Sequence, residues 1–571
     1  MITNLYDTTK ALQIGVVSPT GDSLCYQFDG ALLKKLMWTG PNGASSVKGN
    51  VAFTYNSDLL VSTEIVIPRV GGADSVNLKY DKDGLITSAG AQKLRYGASN
   101  NLLLSDTLAG VVTDYAYNAF GELTSKEARF GSNVLFRLDY LRDSLGRITT
   151  KTEVVQGVTT KYGYVYDAMG RLHQVSKNDT LASNYEYDAN GNRLSRTSLH
   201  DGFAQIDSAS YDAQDRLVKY SNTSYSYSSN GDLHLKVQGT DTTRYIYDAF
   251  GTLRSVQMPN GTLIEYVIDG NGLRMGRKVN GALTHKWLYS DNLRVIAELD
   301  TADQIISRFV YTTSDNVPEY MVTAGATYRI LSDRLGSPRL VVNSITGAVI
   351  QQIEYDEFGE LKFDSNLGLT PFGFAGGLRD IQTQLTRFGS RDYDAHTGRW
   401  TTKDPIRFVG RSENLYRYAS ADPVNKTDPS GQWAWWDHFD LTFSTMIASG
   451  YTAEEAVLTA LYDVKTDIEY RDKRFAPIHG MRRADQSLES AQSEASSFIV
   501  IEIGKGTFKG LGHALHTVQD VECPQHAWNV WDPEDTISHS IAEILHFDAA
   551  AYGRALKNSI ELMKQWRRWN Q

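Results

Sequence analysis

Residues 161–194 read KYGYVYDAMGRLHQVSKNDTLASNYEYDANGNRL, and the local grammar of this stretch decides the fold. An aromatic–Asp–x–x–Gly–x–Leu pattern occurs in it as YDAMGRL from Tyr166 and, with one more residue before the leucine, as YDANGNRL from Tyr187. Asp followed three residues later by Gly is turn chemistry: the carboxylate bonds its own local backbone, and glycine accepts positive φ. The flanking run TKYGYVY alternates with a period of two, the signature of a half-buried strand, and Tyr and Thr suit such a pleated surface. The stretch therefore predicts hairpins in series.

Working outward, the same phrase recurs as YDKDGLI from Tyr80, YNAFGEL from Tyr117, YDAQDRL from Tyr211 and YSSNGDL from Tyr227. It returns again as YDAFGTL from Tyr247 and YDEFGEL from Tyr355. From Tyr166 to Tyr247 the copies are 21, 24, 16 and 20 residues apart. One such unit cannot bury its own face, so neighbours must stack into a continuous sheet. Composition marks where the array ends. The 32 tyrosines and 47 glycines concentrate before residue 432, whereas eight of the ten tryptophans lie at or beyond residue 400.

The pattern resembles the YD repeats of Rhs proteins and of the C component of insecticidal toxin complexes. The resemblance covers roughly residues 75–431, with residues 1–74 reading as more β structure of the same kind. It implies a β-rich spiral shell, or cocoon, over 1–332, holding a toxin. Residues 333–432 resemble the Rhs core segment through DRLGSPRLV from Asp333, RDYDAHTGRWTTKDP from Arg391 and NLYRYASADPVNKTDPSG from Asn414. In that family this segment is an intramolecular aspartyl protease that cuts just after a DPxG motif. The resemblance maps its arginine to Arg391 and its aspartates to Asp404 and Asp428. Two adjacent carboxylates cannot both ionise easily, so one holds a proton while the other activates water. Gln432 follows the motif where the family usually has a bulky apolar residue, and the expected cut lies between Gln432 and Trp433.

Beyond Trp433 the texture changes. AEEAVLTALYDVKTDIEY (453–470) and HSIAEILHFDAAAYGRALKNSIELMKQW (539–566) carry helical spacing. This predicts an all-α domain over 433–571. Seven of the twelve histidines fall here. His516 and Asp520 lie four apart on one helix face, Pro524 ends that helix, His526 follows, and His539 and Glu543 repeat the i, i+4 pair. Imidazoles and carboxylates so placed suit zinc. These residues resemble the signature of the zinc-dependent phospholipase C and single-strand nuclease superfamily. That resemblance implies two or three Zn²⁺ ions and adds Trp433, His438, Asp467 and His479 as ligands, with Asp463 a rival to Asp467. It also implies Asp467 as a candidate base in phosphodiester hydrolysis. An N-terminal tryptophan ligates metal in that family, so the expected cut would create a ligand at Trp433. His513 reads as a supporting neighbour, and Cys523 as a packing residue.

A net charge of −10 argues against broad electrostatic capture of nucleic acid or anionic membrane. Residues 433–571 hold 13 Lys and Arg against 20 Asp and Glu, without the basic track a nuclease usually shows. The favoured reading is a phospholipase C toxin, with a zinc nuclease as the alternative and a non-enzymatic YD-repeat adhesin as a third. The N-terminus lacks a basic region followed by an apolar core and is not read as a signal peptide. A toxin of this kind is expected to be cytoplasmic in its producer. From there a secretion machine or partner shell protein would deliver it into a target cell, and an immunity protein would protect the producer. Cys25 and Cys523 are too few and too distant for a disulfide framework.

Overall fold

A computed structural model of the chain describes residues 2–432 apart from 8–11, 31, 41–46, 99, 201–202 and 408–412, together with residues 490, 494, 495, 498 and 499. From β1 (Thr3–Asp7) to β34 (Leu361–Asp364) the described chain forms one 34-stranded sheet in which each strand pairs antiparallel with the next. Residues 1–74 join it as strands, as expected. A second sheet of four short strands follows: β35 (Leu378–Arg379), β36 (Leu385–Phe388), β37 (Arg391–Asp394) and β38 (Arg399–Trp400). Among the described residues no helix is long and apolar enough to cross a membrane. The helices expected in 433–571 lie outside the described residues, as does Cys523. Cys25 is a half-buried free thiol.

Each repeat closes on its aspartate. Asp167 Oδ1 accepts the backbone N–H groups of Met169 and Arg171, both at 2.9 Å. Gly170 takes φ +78° and donates to the Asp167 carbonyl at 3.0 Å. The same pair of carboxylate bonds recurs at Asp81, Asp143, Asp212, Asp248 and Asp356. Two turns hold aspartate in the glycine slot, Asp215 at φ +60° and Asp303 at φ +66°. Their carboxylates have other partners: Asp215 accepts from Asn192 Nδ2 at 2.6 Å, and Asp303 pairs with buried Lys286 at 2.5 Å. Those partners outweigh the backbone cost of a left-handed aspartate.

The repeat tyrosine has a specific task. Its hydroxyl donates to a carbonyl six residues beyond the preceding repeat's aromatic position, back across the neighbouring hairpin. Tyr80 reaches the Val61 oxygen (2.8 Å), Tyr96 Ile86 (3.0 Å), Tyr187 Leu172 (2.8 Å), Tyr289 Arg274 (2.7 Å) and Tyr311 Val295 (3.1 Å). Each tyrosine thus staples its repeat to the one before, which phenylalanine could not do. Tyr187→Phe keeps the ring under the Arg171 guanidinium, 4.9 Å from its centroid, and removes only the staple. It should cost about 1 kcal/mol, seen as a lower urea midpoint with an unchanged m-value.

Early strands pack on late ones. Trp38, Val51 and Val66 share a core with Met275, Leu288, Phe309 and Val341. A Cβ added at Gly49 would stand 2.8 Å from Leu288 Cδ1, so any side chain there would have to displace that leucine from the core. A second core joins Val111, Phe136 and Tyr185 to Leu331 and Leu340.

One buried carboxyl in this interior makes no hydrogen bond or ion pair with a described residue. Glu298, on β28 (Val295–Leu299), is pushed up to about 7 by burial alone. Its neutral form is the one the fold favours. The stability it gives is present below pH 4.5 and is lost as pH rises toward 7. Glu298→Gln should therefore match the parent near pH 5 and exceed it at pH 8 by at most about 3 kcal/mol. Denaturant melts at the two pH values check this.

Candidate self-processing site

The four short strands and the chain after them are built around an aromatic cluster. Tyr393 and Tyr418 lie 4.5 Å apart between ring centroids, with Phe374, Phe388 and Trp400 within 6.1 Å of Tyr393. Buried polar contacts tie this segment to the sheet. Asp392 sits between two guanidiniums, 2.7 Å from Arg274 Nη2 and 2.9 Å from Arg387 Nη1. Asp380 pairs with Arg277 at 2.7 Å, Asn192 Oδ1 accepts from Arg399 Nη1 at 2.8 Å, and the Tyr416 hydroxyl donates to the Gly231 carbonyl at 2.7 Å.

The three residues singled out from the sequence meet in this segment. Arg391 opens β37 and is only 2% exposed. Its Nη2 lies 2.7 Å from Asp404 Oδ2 and 3.1 Å from Asp428 Oδ2, so both carboxylates share one guanidinium nitrogen. Arg391 Nε donates to the Gly431 carbonyl at 2.5 Å, and the guanidinium lies 4.1 Å from the centroid of the Trp400 ring. Burial raises the Asp428 carboxyl above its usual range, against the opposing pull of Arg391 and of hydrogen bonds from Ser430 and Gln432. A buried carboxyl whose affinity for a proton is raised stands beside a second carboxyl held by the same arginine, a placement that suits an acid–base pair.

Residues absent from the sequence-based list complete the geometry. The Ser430 hydroxyl lies 3.0 Å from Asp428 Oδ1 and 2.8 Å from the Gln432 carbonyl oxygen. The Gln432 N–H donates to Asp428 Oδ1 at 3.1 Å. The Ser390 backbone N–H and hydroxyl both donate to the Ser430 carbonyl, at 2.9 and 3.0 Å. Gly431 takes φ +64°, and a Cβ there would meet the Phe388 carbonyl at 2.5 Å and the Arg391 nitrogen at 2.9 Å. The DPxG glycine is thus required by close approach of two backbones. Ser430 stands inside that motif but carries no signal of its own, because a serine there also reads as an ordinary turn residue.

The remaining expected site residues, Trp433, His438, Asp467 with its rival Asp463, His479, His516, Asp520, His526, His539 and Glu543, lie outside the described residues. Among the described residues no group of three His, Cys, Asp or Glu side chains could hold a metal ion.

An antiparallel meander of hairpins stapled by tyrosines, closed by a compact segment that ends on DPSG, defines a YD-repeat shell. The chain belongs to the Teneurin YD-shell family, whose model matches residues 7–424. It is 30% identical to Teneurin-3 of Danio rerio over 327 residues, which are 54% of this chain and 12% of that protein. It is 27% identical to Teneurin-4 of Mus musculus over 398 residues, 66% of this chain and 14% of that protein. It is 26% identical to the tRNA3(Ser)-specific nuclease WapA of Bacillus spizizenii over 277 residues, 47% of this chain and 12% of that protein. The chain therefore spans 12 to 14% of the length of these relatives. Among solved structures the crystal structure of TcdB2-TccC3-TEV matches 75% of this chain and 27% of that one, with a TM-score of 0.50 and 16% identity, a likeness of fold. The YD-repeat reading made from Tyr80 onward thus holds and extends back to residue 7.

Proposed function

We propose that the chain is a toxin-carrying shell that severs itself after Gln432 and frees residues 433–571 as a zinc-dependent phosphodiesterase, a phospholipase C acting on membrane lipids. The observation that carries the first half is the convergence of Asp404 and Asp428 on one nitrogen of Arg391, with Gln432 held against them through its N–H bond to Asp428.

The hydrolysis follows from that arrangement. Asp404, paired with Arg391, is the carboxylate that takes a proton from water, and the water oxygen attacks the Gln432 carbonyl carbon. Asp428 supplies a proton, which reaches the Gln432 carbonyl oxygen through the Ser430 hydroxyl that bridges the two. The tetrahedral centre collapses and the C–N bond breaks: the Trp433 nitrogen takes the proton that Asp404 received from water and leaves as a free amine, while a hydroxyl on the former carbonyl carbon returns its proton through Ser430 to Asp428 and leaves Gln432 with the new carboxyl group. Arg391 acts by holding both carboxylates and, through Nε, the Gly431 carbonyl one residue upstream.

For the payload, the donor set Trp433, His438, Asp467, His479, His516, Asp520, His526, His539 and Glu543 fits zinc in type and spacing. Bound there, zinc would supply Lewis acidity toward a phosphodiester. In this reading the freed amine of Trp433 completes the donor set, so cleavage also activates the hydrolase. The WapA relative, named as a tRNA nuclease, favours a nuclease as the second reading. A producer of such an enzyme needs an immunity protein. The shell in turn needs a secretion machine or partner shell protein to move it from the producer's cytoplasm into a target cell.

The test uses the purified full chain after self-cleavage, assayed for zinc and incubated in parallel with phosphatidylcholine vesicles and single-stranded DNA. Two or three zinc ions per chain with release of phosphocholine is the expected result, and loss of that release with a chelator should accompany it. Degradation of DNA alone would turn the reading to the nuclease. A chain without zinc and inert on both would overturn the enzyme.

A further inference from the structure

Away from Arg391 the described chain holds a cavity of about 240 Å³ whose contents neither the shell nor self-cleavage explains. Its wall includes β27 (Ala282–Tyr289), β28 and the segment 367–382. Glu298 faces it, opposite Trp287 in the strand register, and has no hydrogen bond or ion pair with a described residue. Two further polar atoms of these lining side chains, Trp287 Nε1 and Gln351 Oε1, are buried without a hydrogen-bond partner.

The charges around Glu298 divide into spoken-for and free. Arg277 is paired with Asp380 and Arg274 with Asp392. His285 is held below its usual range by burial and by Arg277, so it is neutral at pH 7. Asp364 accepts from Gln351 Nε2 at 2.9 Å. Arg379 makes no ion pair with a described residue. Among the described residues the wall thus presents one carboxyl and one guanidinium without an ion pair, its other charged groups being matched, and Leu367, Phe372, Leu378 and Ile381 give it an apolar side. Leu367 and Ile381 are 52% and 42% exposed, which puts them at the mouth.

A simple cation would leave Arg379 unmatched, and a simple anion would leave Glu298 unmatched. The volume admits a small molecule rather than a single ion. We propose that the cavity binds a small zwitterion with an apolar body, of the α-amino-acid class. Its ammonium pairs with Glu298, its carboxylate pairs with Arg379, and its side chain lies against Phe372 and Leu378.

Calorimetric titration of the full chain tests this with L-leucine and L-phenylalanine, beside 3-methylbutylamine and 4-methylpentanoate, which each lack one charge. Saturable binding of at least one amino acid is expected, with both single-charge compounds weaker by about tenfold or more. Glu298→Gln and Arg379→Met should each weaken the amino acid by about tenfold or more. Neither should lower the melting midpoint at pH 7, because among the described residues neither side chain has an ion-pair partner to lose. No binding of either amino acid up to about 10 mM, equal binding of a single-charge compound, or parent-like binding by Glu298→Gln would overturn the site.

Discussion

Asp428→Asn should leave the chain whole, a single 63.6 kDa species under conditions in which the parent has parted into two. Asparagine keeps an oxygen to accept from the Gln432 N–H and the Ser430 hydroxyl, gives up the 3.1 Å bond from Arg391 Nη2 at its other position, and leaves Arg391 its pair with Asp404. What goes is the proton that a buried carboxyl holds for the Gln432 carbonyl. Loss of a positioned acid or base slows such a step by about 10² to 10⁴-fold, enough to turn complete processing into none on the scale of a preparation. Asp404→Asn should do the same through the other half of the pair. Ser430→Ala should slow cleavage less, because water can replace a hydroxyl in a relay but nothing replaces the acid. Arg391→Ala is the less informative change, since it also strands two buried carboxylates. Time courses on denaturing gels, with melting midpoints to confirm folding, read all four.

The largest loss of stability is expected from Asp392→Ala. Asp392 is 1% exposed and lies between Arg274 and Arg387, whose side chains are 2% and 3% exposed. Removing it leaves two buried guanidiniums facing each other without a counter-ion. Breaking a buried pair by deleting one partner costs about 3–5 kcal/mol, and two partners are stranded here. The loss falls where the core segment meets the sheet, because Arg274 belongs to the shell strands and Arg387 to the segment. Asp392 is also next to Arg391, so processing should slow with stability. Asp392→Asn, which keeps one acceptor, should fall between parent and alanine. Equilibrium denaturation gives the stability and a gel time course gives the processing.

The sequence made the hairpin array legible because each turn states its chemistry locally: an aspartate to accept two amides and a glycine to take positive φ. Asp215 and Asp303 are the places where that grammar misleads, since their side chains answer to Asn192 and Lys286, far away in chain order or on another strand. The staple by the repeat tyrosine was not legible either. Tyr80 and Tyr187 read as strand formers, and only the pairing of successive hairpins brings their hydroxyls to a carbonyl. At the processing site Arg391, Asp404 and Asp428 could be named from motif spacing. Ser430, Ser390 and the backbone clasp at Gly431 could not, because their significance lies in a contact between two segments about forty residues apart. Glu298 is silent in sequence for the same reason: nothing in VIAEL marks a carboxyl buried without a partner among the described residues.

The most direct measurement is the intact mass, with N-terminal sequencing, of the freshly purified chain and of its Asp428→Asn counterpart. Two fragments from the parent, the smaller beginning at Trp433, and one uncut species from the variant are the predicted result. A parent that stays whole while folded, a cut at any other bond, or equal cutting in the variant would contradict the account.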